Sequence, residues 1–330
     1  MSVEREITEA VDLCRPDGRL SPDAVGWSRH PLHRTGLRGW GRSKRWEYWG
    51  LVTPEHIVGI TVSSLDYAGV HSVYLLERAS GSETNADAVV PFGRGALLAP
   101  RAGVGGSRVT TKALAIALDE TPEGTRIRVR TPVLDLDVVA LLPERHESLS
   151  VVVPWSEKLF QYTVKDLGRP LRGRLRVAGL EHEVDPDESF GVLDHGRGRW
   201  PYAITWNWGA GYGRVEGREV ALQVGGRWTD GTGSTENALF VDGVAHKISE
   251  DLAWDYDAAD WLAPWRIRGE RVDARFTPFH ERASVTNLGV LASEVHQCFG
   301  TWSGWATTDE GERVALDGIV GWAEEARNRW

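Results

Sequence analysis

The residues of this chain best suited to chemistry gather in Ser189-Phe190-Gly191-Val192-Leu193-Asp194-His195-Gly196-Arg197-Gly198-Arg199-Trp200-Pro201-Tyr202, followed closely by Trp206-Asn207-Trp208. A carboxyl beside an imidazole suggests acid–base work. On an extended strand, however, sequence neighbours point to opposite faces, so Asp194 and His195 form no direct dyad unless a bulge intervenes. Trp206 and Trp208, two apart, share one face. An Asp194 turned inward among tryptophans would be poorly solvated, inclined to keep its proton and able to deliver it as a general acid. His195 would then tune or re-protonate it. The competing reading is structural: Asp194 binds backbone amides, or pairs with Arg197 or Arg199 at a sheet corner.

A second group is Ser234-Thr235-Glu236-Asn237-Ala238-Leu239-Phe240, where Glu236 and Asn237 can hydrogen-bond a ligand. Glu294, His296 and Cys298 alternate along one strand face. As metal ligands they are poor, because same-face neighbours lie roughly 7 Å apart and a fourth partner is missing. No metal and no cofactor are expected. The glycine-rich stretch 102–106 lacks the Lys-Ser/Thr of a phosphate loop, and nucleophile elbows, HExxH and paired CxxC are absent.

Sixteen tryptophans stand in 330 residues, where average usage would place roughly four or five. They are bunched: Trp40, Trp46 and Trp49; Trp200, Trp206 and Trp208; Trp254, Trp261 and Trp265; Trp302, Trp305 and Trp322. Each ring offers a large apolar face and one N–H donor. Two readings stand side by side, core filling in a large β protein and the wall of a cavity for an apolar ligand. On the second, Tyr202, Trp206, Trp208 and Trp228 line the ligand site with Glu236 and Asn237.

The elements that must position these residues are strands. Arg126-Ile127-Arg128-Val129-Arg130 alternates strictly, as do Leu134, Leu136 and Val138 with their neighbours. Glu216-Gly217, Asp242-Gly243 and Asp317-Gly318 mark tight hairpins. Short helices are expected only over Glu4–Cys14, Ser249–Tyr256 and Trp322–Arg329. The fold class is all-β: two consecutive antiparallel β-barrels or barrel-like sandwiches. The expected division is a lead segment over 1–45, a first barrel-like domain over 46–165 and a second over 166–330, with the boundary between about 145 and 180.

Thirty-eight Lys and Arg against 47 Asp and Glu give a net charge of −9, which argues against a nucleic-acid partner. The basic cluster Arg29, Arg34, Arg38, Arg42, Lys44 and Arg45 reads as a solvated segment or a set of ion-pair partners. Cys14 and Cys298 are too few for a disulfide framework, and no apolar stretch reaches the length of a membrane span. The expected setting is the cytoplasm, with at most transient contact at a membrane surface.

Several stretches together resemble a bacterial family catalogued as domain of unknown function number 2804. They are Cys14-Arg15-Pro16-Asp17-Gly18-Arg19-Leu20, Gly26-Trp27-Ser28-Arg29, Lys44-Arg45-Trp46-Glu47-Tyr48-Trp49, Leu65-Asp66-Tyr67-Ala68-Gly69, Trp200-Pro201-Tyr202 to Trp208, Thr235-Glu236-Asn237-Ala238-Leu239, Phe299-Gly300 to Gly304, and Arg329-Trp330. More remotely, Gly191–His195 and the Trp206/Trp208 strand are similar to a signature of the carotenoid 1,2-hydratase (hydroxyneurosporene synthase) superfamily. That resemblance implies two lipocalin-like barrels and isoprenoid, polyketide or lipid-like ligands. The chain departs from the hydratase pattern, with Gly-Arg-Gly-Arg after Asp194-His195 where an aromatic is expected.

The function expected on these grounds is binding of an apolar small molecule in a tryptophan-lined barrel cavity, with acid-assisted hydration, cyclisation or isomerisation. A lyase of the hydratase type or a cyclase/isomerase would use Asp194 and His195, with Trp206, Trp208 and Trp228 stabilising a carbocation. The alternatives are a non-catalytic lipid or pigment binder, and a β-sandwich that grips carbohydrate.

Overall fold

The structure, a computed structural model, describes residues 4–287 and 292–329. Met1–Val3 of the lead segment and Trp330 of the last family-like stretch lie outside the described residues. Two large sheets, antiparallel throughout, make up the fold. The first, thirteen-stranded, runs from the edge strand Ser82–Pro91 through Ala68–Glu77, His56–Ser64, Ser43–Val52, Phe190–Arg199 and Phe160–Val177 to Leu134–Leu141 and beyond. The second, ten-stranded, centres on Arg218–Gly226, Ala203–Val215, Val320–Arg329, Ala292–Thr307 and Val272–Asn287. Each curls into a half-barrel, so the fold is all-β.

Alternation explains most strands. Ile127 and Val129 are buried while Arg126, Arg128 and Arg130 face water, and Leu134, Leu136 and Val138 are buried in the next strand. Glu216-Gly217 and Asp242-Gly243 have positive φ at both residues, the geometry of the two-residue hairpin turn.

None of the three expected α-helices forms. Trp322–Arg329 lies in the strand Val320–Arg329, and Ser249–Tyr256 and Glu4–Cys14 contain only the short strands Ala253–Asp255 and Val11–Asp12. The helical content described is a single 3-10 turn, Pro22–Ala24. The change of sheet falls between Arg199 and Ala203, well after the window of 145–180, because the long strand Phe160–Val177 and its neighbour Phe190–Arg199 both pair within the first sheet.

Three hydrophobic cores result. One fills the first curl, with Trp49, Leu51 and Leu193; one fills the second, with Trp265, Phe276 and Trp302. A third joins the sheets face to face, with Phe190 and Val192 from the first meeting Trp208, Phe299 and Trp322 from the second. Gly50 makes this contact close, and Gly196 makes a similar allowance within the first sheet. A Cβ on Gly50 would stand 2.5 Å from Cη2 of Trp322, and one on Gly196 would collide with the ring of Trp46. The glycine after His195 thus admits an aromatic ring supplied by another strand.

Gly50→Ala should therefore cost about 1–3 kcal/mol by overpacking. Trp322→Phe in the same chain should recover part of that loss, as measured by denaturant unfolding. Strictly additive costs would show that the two residues are not in contact.

Candidate functional site

Strand register brings distant residues into two facing rows. In the first sheet, Lys165 pairs with Asp194, Asp194 with Tyr48, Tyr48 with Thr61 and Thr61 with Ser72. In the second sheet, Trp208 pairs with Glu324, Glu324 with Gln297 and Gln297 with Arg282. All of these line one cavity of about 560 Å³, together with Trp46, Trp200, Trp206, Trp228 and Glu236. The cavity lies between the two sheets. This corrects the expectation of a cavity inside a barrel: the interior of each curl is filled by its own core.

At the centre is Lys165, buried among aromatic rings. Its Nζ lies 3.1 Å from Oδ2 of Asp194, 3.5 Å from Oε2 of Glu236 and 4.1 Å from the centroid of the Trp208 ring. Burial disfavours the ammonium, but Asp194 and Glu236 more than offset it and raise its pKa. Asp194 Oδ1 also accepts from Thr163 Oγ1 at 3.1 Å, so both its oxygens are engaged.

The two glutamates differ in their commitments. Trp206 Nε1 donates to Glu324 Oε1 at 2.9 Å, and Gln297 Nε2 donates to Glu324 Oε2 at 3.0 Å. Trp228 Nε1 donates to Glu236 Oε1 at 2.7 Å, but Glu236 Oε2 has no hydrogen-bond partner. Burial raises both carboxyls to about 7, against the partial restraint of Lys165 on Glu236 and of Trp206 on Glu324. A carboxyl poised there supplies or takes a proton near neutral pH.

The aromatic wall is continuous. Trp200 stacks on Trp228 with centroids 5.7 Å apart and meets Trp206 and Trp46 edge-on at 5.7 and 5.4 Å. Tyr48 is edge-on to Trp208 at 5.7 Å, and burial holds its phenol up at about 12.

The structure separates several residues that the sequence reading grouped. His195 points away from Asp194 into the first curl, fully buried, and neither ring nitrogen has a hydrogen-bond partner. Desolvation and nearby Arg197 keep it neutral. Arg197 donates to the backbone carbonyls of Trp46, Gly196 and Ala99, so Asp194 takes its cation from Lys165 instead. Tyr202 is half-exposed and off the cavity wall. Asn237 is committed to backbone, accepting from Gly225 N at 2.7 Å and donating to Glu250 O at 2.9 Å, which leaves it unsuited to gripping sugar hydroxyls.

His296 faces Glu281 with Nδ1 at 2.7 Å and Glu294 with Nε2 at 3.3 Å, while the Cys298 thiol is directed at Trp261 O. The triple Glu294, His296 and Cys298 therefore does not converge. The basic cluster resolves partly into ion pairs: Arg29 with Glu6 and Glu147, Arg34 with Asp12, and Arg45 with Asp66.

Sequence reasoning missed Lys165, Tyr48, Glu324, Gln297 and Arg282. The available signal was alternation, since Thr163 and Lys165, two apart, share the face opposite Tyr162 and Val164 in the strand Phe160–Val177. Glu324 was hidden by the helical reading of its segment.

Solved structures of similar fold are distant in sequence. A provisionally named AttH from Nitrosomonas europaea is 14% identical, with 86% of this chain and 92% of that one covered at a TM-score of 0.53. CghA in complex with Sch210972 is 11% identical, with 87% and 88% covered at 0.50. Kievitone hydratase from Nectria haematococca is 10% identical, with 88% and 89% covered at 0.49. The first of these likenesses shows a shared lipocalin-like fold. No curated protein matches, and no helix among the described residues is long and apolar enough to cross a membrane. The family profile described as Domain of unknown function (DUF2804) matches residues 4–330, and the chain belongs to that family.

Proposed function

We propose that this protein binds an apolar, alkene-bearing small molecule of the isoprenoid, polyketide or lipid-like class between its sheets and transfers a proton to it. The observation that carries this reading is the convergence of five tryptophans and a buried lysine–carboxylate cluster on one cavity. Its volume, about 560 Å³, falls within the range of small-molecule sites.

Glu236 is the proton donor in this proposal, in place of Asp194. Both oxygens of Asp194 are engaged at hydrogen-bond distance, whereas Oε2 of Glu236 has only the longer 3.5 Å contact with Lys165. Transfer of that proton to an alkene carbon leaves a Glu236 carboxylate, which nearby Lys165 stabilises, and a carbocation on the substrate. The carbocation rests against Trp206 and Trp228, since the Trp208 face already holds Lys165. Water adds to it in a hydratase, or an adjacent C–H proton leaves in an isomerase or cyclase. Either way one proton returns to Glu236 and the cycle closes. Asp194 positions Lys165, and Glu324, held by Trp206 and Gln297, fixes the far wall.

The test is a panel of isoprenoid and polyketide-like alkenes incubated with protein in deuterated water, with affinity read from tryptophan quenching and proton transfer from deuterium gained by the ligand. Trp206→Ala should weaken binding by about tenfold or more. Glu236→Gln should leave binding intact while deuterium gain falls by about 10²–10⁴-fold. Saturable binding with no deuterium gain in the wild type would make the protein a carrier. Quenching unchanged in Trp206→Ala and Trp208→Ala would place the ligand elsewhere.

The raised glutamates also set a pH dependence. With pKa values near 7 folded against an ordinary 4.5, the folded state holds more protons between these limits. Their stabilising contribution is complete below about 4.5 and is lost as pH rises through about 7. In denaturant unfolding between about pH 5 and about pH 8, Glu236→Gln/Glu324→Gln should lose less stability than the wild type. Equal losses would mean that neither carboxyl is protonated in the folded protein at the lower pH.

A further inference from the structure

A second cluster of titratable side chains lies at the other end of the strands that form the cavity. His56 opens the strand His56–Ser64, whose Thr61 faces the cavity. Five residues of strand put roughly 16 Å between them. His182 comes from the short strand Leu180–Val184, an appendage of Phe160–Val177. The fold therefore brings His182 to Glu55 and His56 from a sequence distance of more than a hundred residues.

The turn that carries Glu55 and His56 is rigidly made. Thr53 N donates to His56 O at 2.9 Å, His56 N donates to Thr53 Oγ1 at 2.9 Å, and Arg78 Nη1 donates to Thr53 O at 2.9 Å and Pro54 O at 3.1 Å. Backbone groups are thus satisfied, and the side chains remain to be explained. His182 Nδ1 lies 2.6 Å from Glu55 Oε2. His56 packs edge-on against His182 with centroids 4.7 Å apart, is only 3% exposed, and its buried Nδ1 has no hydrogen-bond partner. Leaving a buried polar atom unpaired is unfavourable.

We propose that Glu55, His56 and His182 bind a divalent transition metal of the zinc class. One ligand atom from each of the three lies within 4.8 Å of the other two. In a tetrahedral zinc site the ligand atoms are about 3.3 Å apart, so closure requires only a small side-chain adjustment. The exposed Glu55, free to change rotamer, supplies most of it. Two imidazoles and one carboxylate are a zinc-type donor set, and the partly exposed Glu55 and His182 leave the fourth position to water.

Two other groups in which a histidine meets a pair of carboxylates differ in geometry. His296 divides its two nitrogens between Glu281 and Glu294, so the carboxylates lie on opposite sides of the ring. His246 offers a single nitrogen, Nδ1, to the partly exposed Asp309 and the exposed Glu310, at 3.6 and 3.8 Å. Neither gathers two imidazoles. Metal at Glu55/His56/His182 would fasten the appended strand Leu180–Val184 to the turn between the strands Ser43–Val52 and His56–Ser64. Its role is to stiffen the first sheet rather than to take part in chemistry.

The test titrates the chelator-stripped full chain with Zn²⁺ by calorimetry and with Co²⁺ by visible absorption. One ion per chain is expected, with a tetrahedral Co²⁺ spectrum and a melting temperature raised by Zn²⁺. His182→Gln and Glu55→Gln, both partly exposed and so compatible with folding, should each weaken Zn²⁺ binding by about tenfold or more. Their metal-free melting temperatures should match the wild type, and His296→Gln should bind as the wild type does. No saturable binding, or binding unchanged in Glu55→Gln/His182→Gln, would overturn the proposal.

Discussion

The ammonium of Lys165 is the group on which the rest of this structure depends. A cation buried among tryptophans is tolerable only with negative charge beside it; Asp194 supplies it at 3.1 Å, and Glu236, 3.5 Å away, adds to it when ionised. Asp194 arrives by direct cross-strand pairing within the first sheet. Glu236 arrives from the loop before Ala238–Val241, in the second sheet. One lysine therefore adds a buried polar tie between two sheets that also meet through the apolar core between them and through contacts such as His280 with Glu83. The cluster also holds Glu236 where desolvation keeps its carboxyl poised near neutrality, so the link between the sheets and the chemistry of the cavity share an origin.

Around this cluster the tryptophans do two jobs. Trp206 and Trp228 donate their indole N–H groups to Glu324 and Glu236, and Trp208 donates to Gln223. Their faces line the cavity. Neither core filling nor ligand wall alone describes them. Trp49, Trp265, Trp302 and Trp322 are core, Trp46, Trp200, Trp206, Trp208 and Trp228 border the cavity, and Trp40 is exposed. The interface also needs an absent side chain, since Gly50 makes room for Trp322; Gly196 does the same for Trp46 within the first sheet.

What the sequence made legible was local. Strict alternation from Arg126 to Arg130, and glycines after Glu216 and Asp242, identify strands and turns because period and backbone freedom act within a few residues. Trp206, Trp208, Trp228 and Glu236 could be selected by type and spacing. The segment from Trp322 to Arg329 misled for a physical reason. Its Ala-Glu-Glu-Ala-Arg composition favours helix, yet it is wedged between the strands Ala203–Val215 and Ala292–Thr307 and buried on both faces, which erases the alternation of a surface strand. Lys165 and Glu324 escaped notice because their role is created by register between strands far apart in the chain. The position of the cavity was hidden for the same reason: nothing in a single strand tells which of its faces looks into a curl and which toward the other sheet.

The central claim is that a carboxyl in the inter-sheet cavity keeps its proton near neutral pH beside an ionised Lys165. Infrared spectra of the wild type and Glu236→Gln, recorded from about pH 5 to about pH 9, test it directly. The account predicts a protonated-carboxyl carbonyl band in the wild type that disappears with a midpoint near 7 and is reduced in Glu236→Gln. No such band above the ordinary carboxylate range, or a band that Glu236→Gln leaves unchanged, would contradict it.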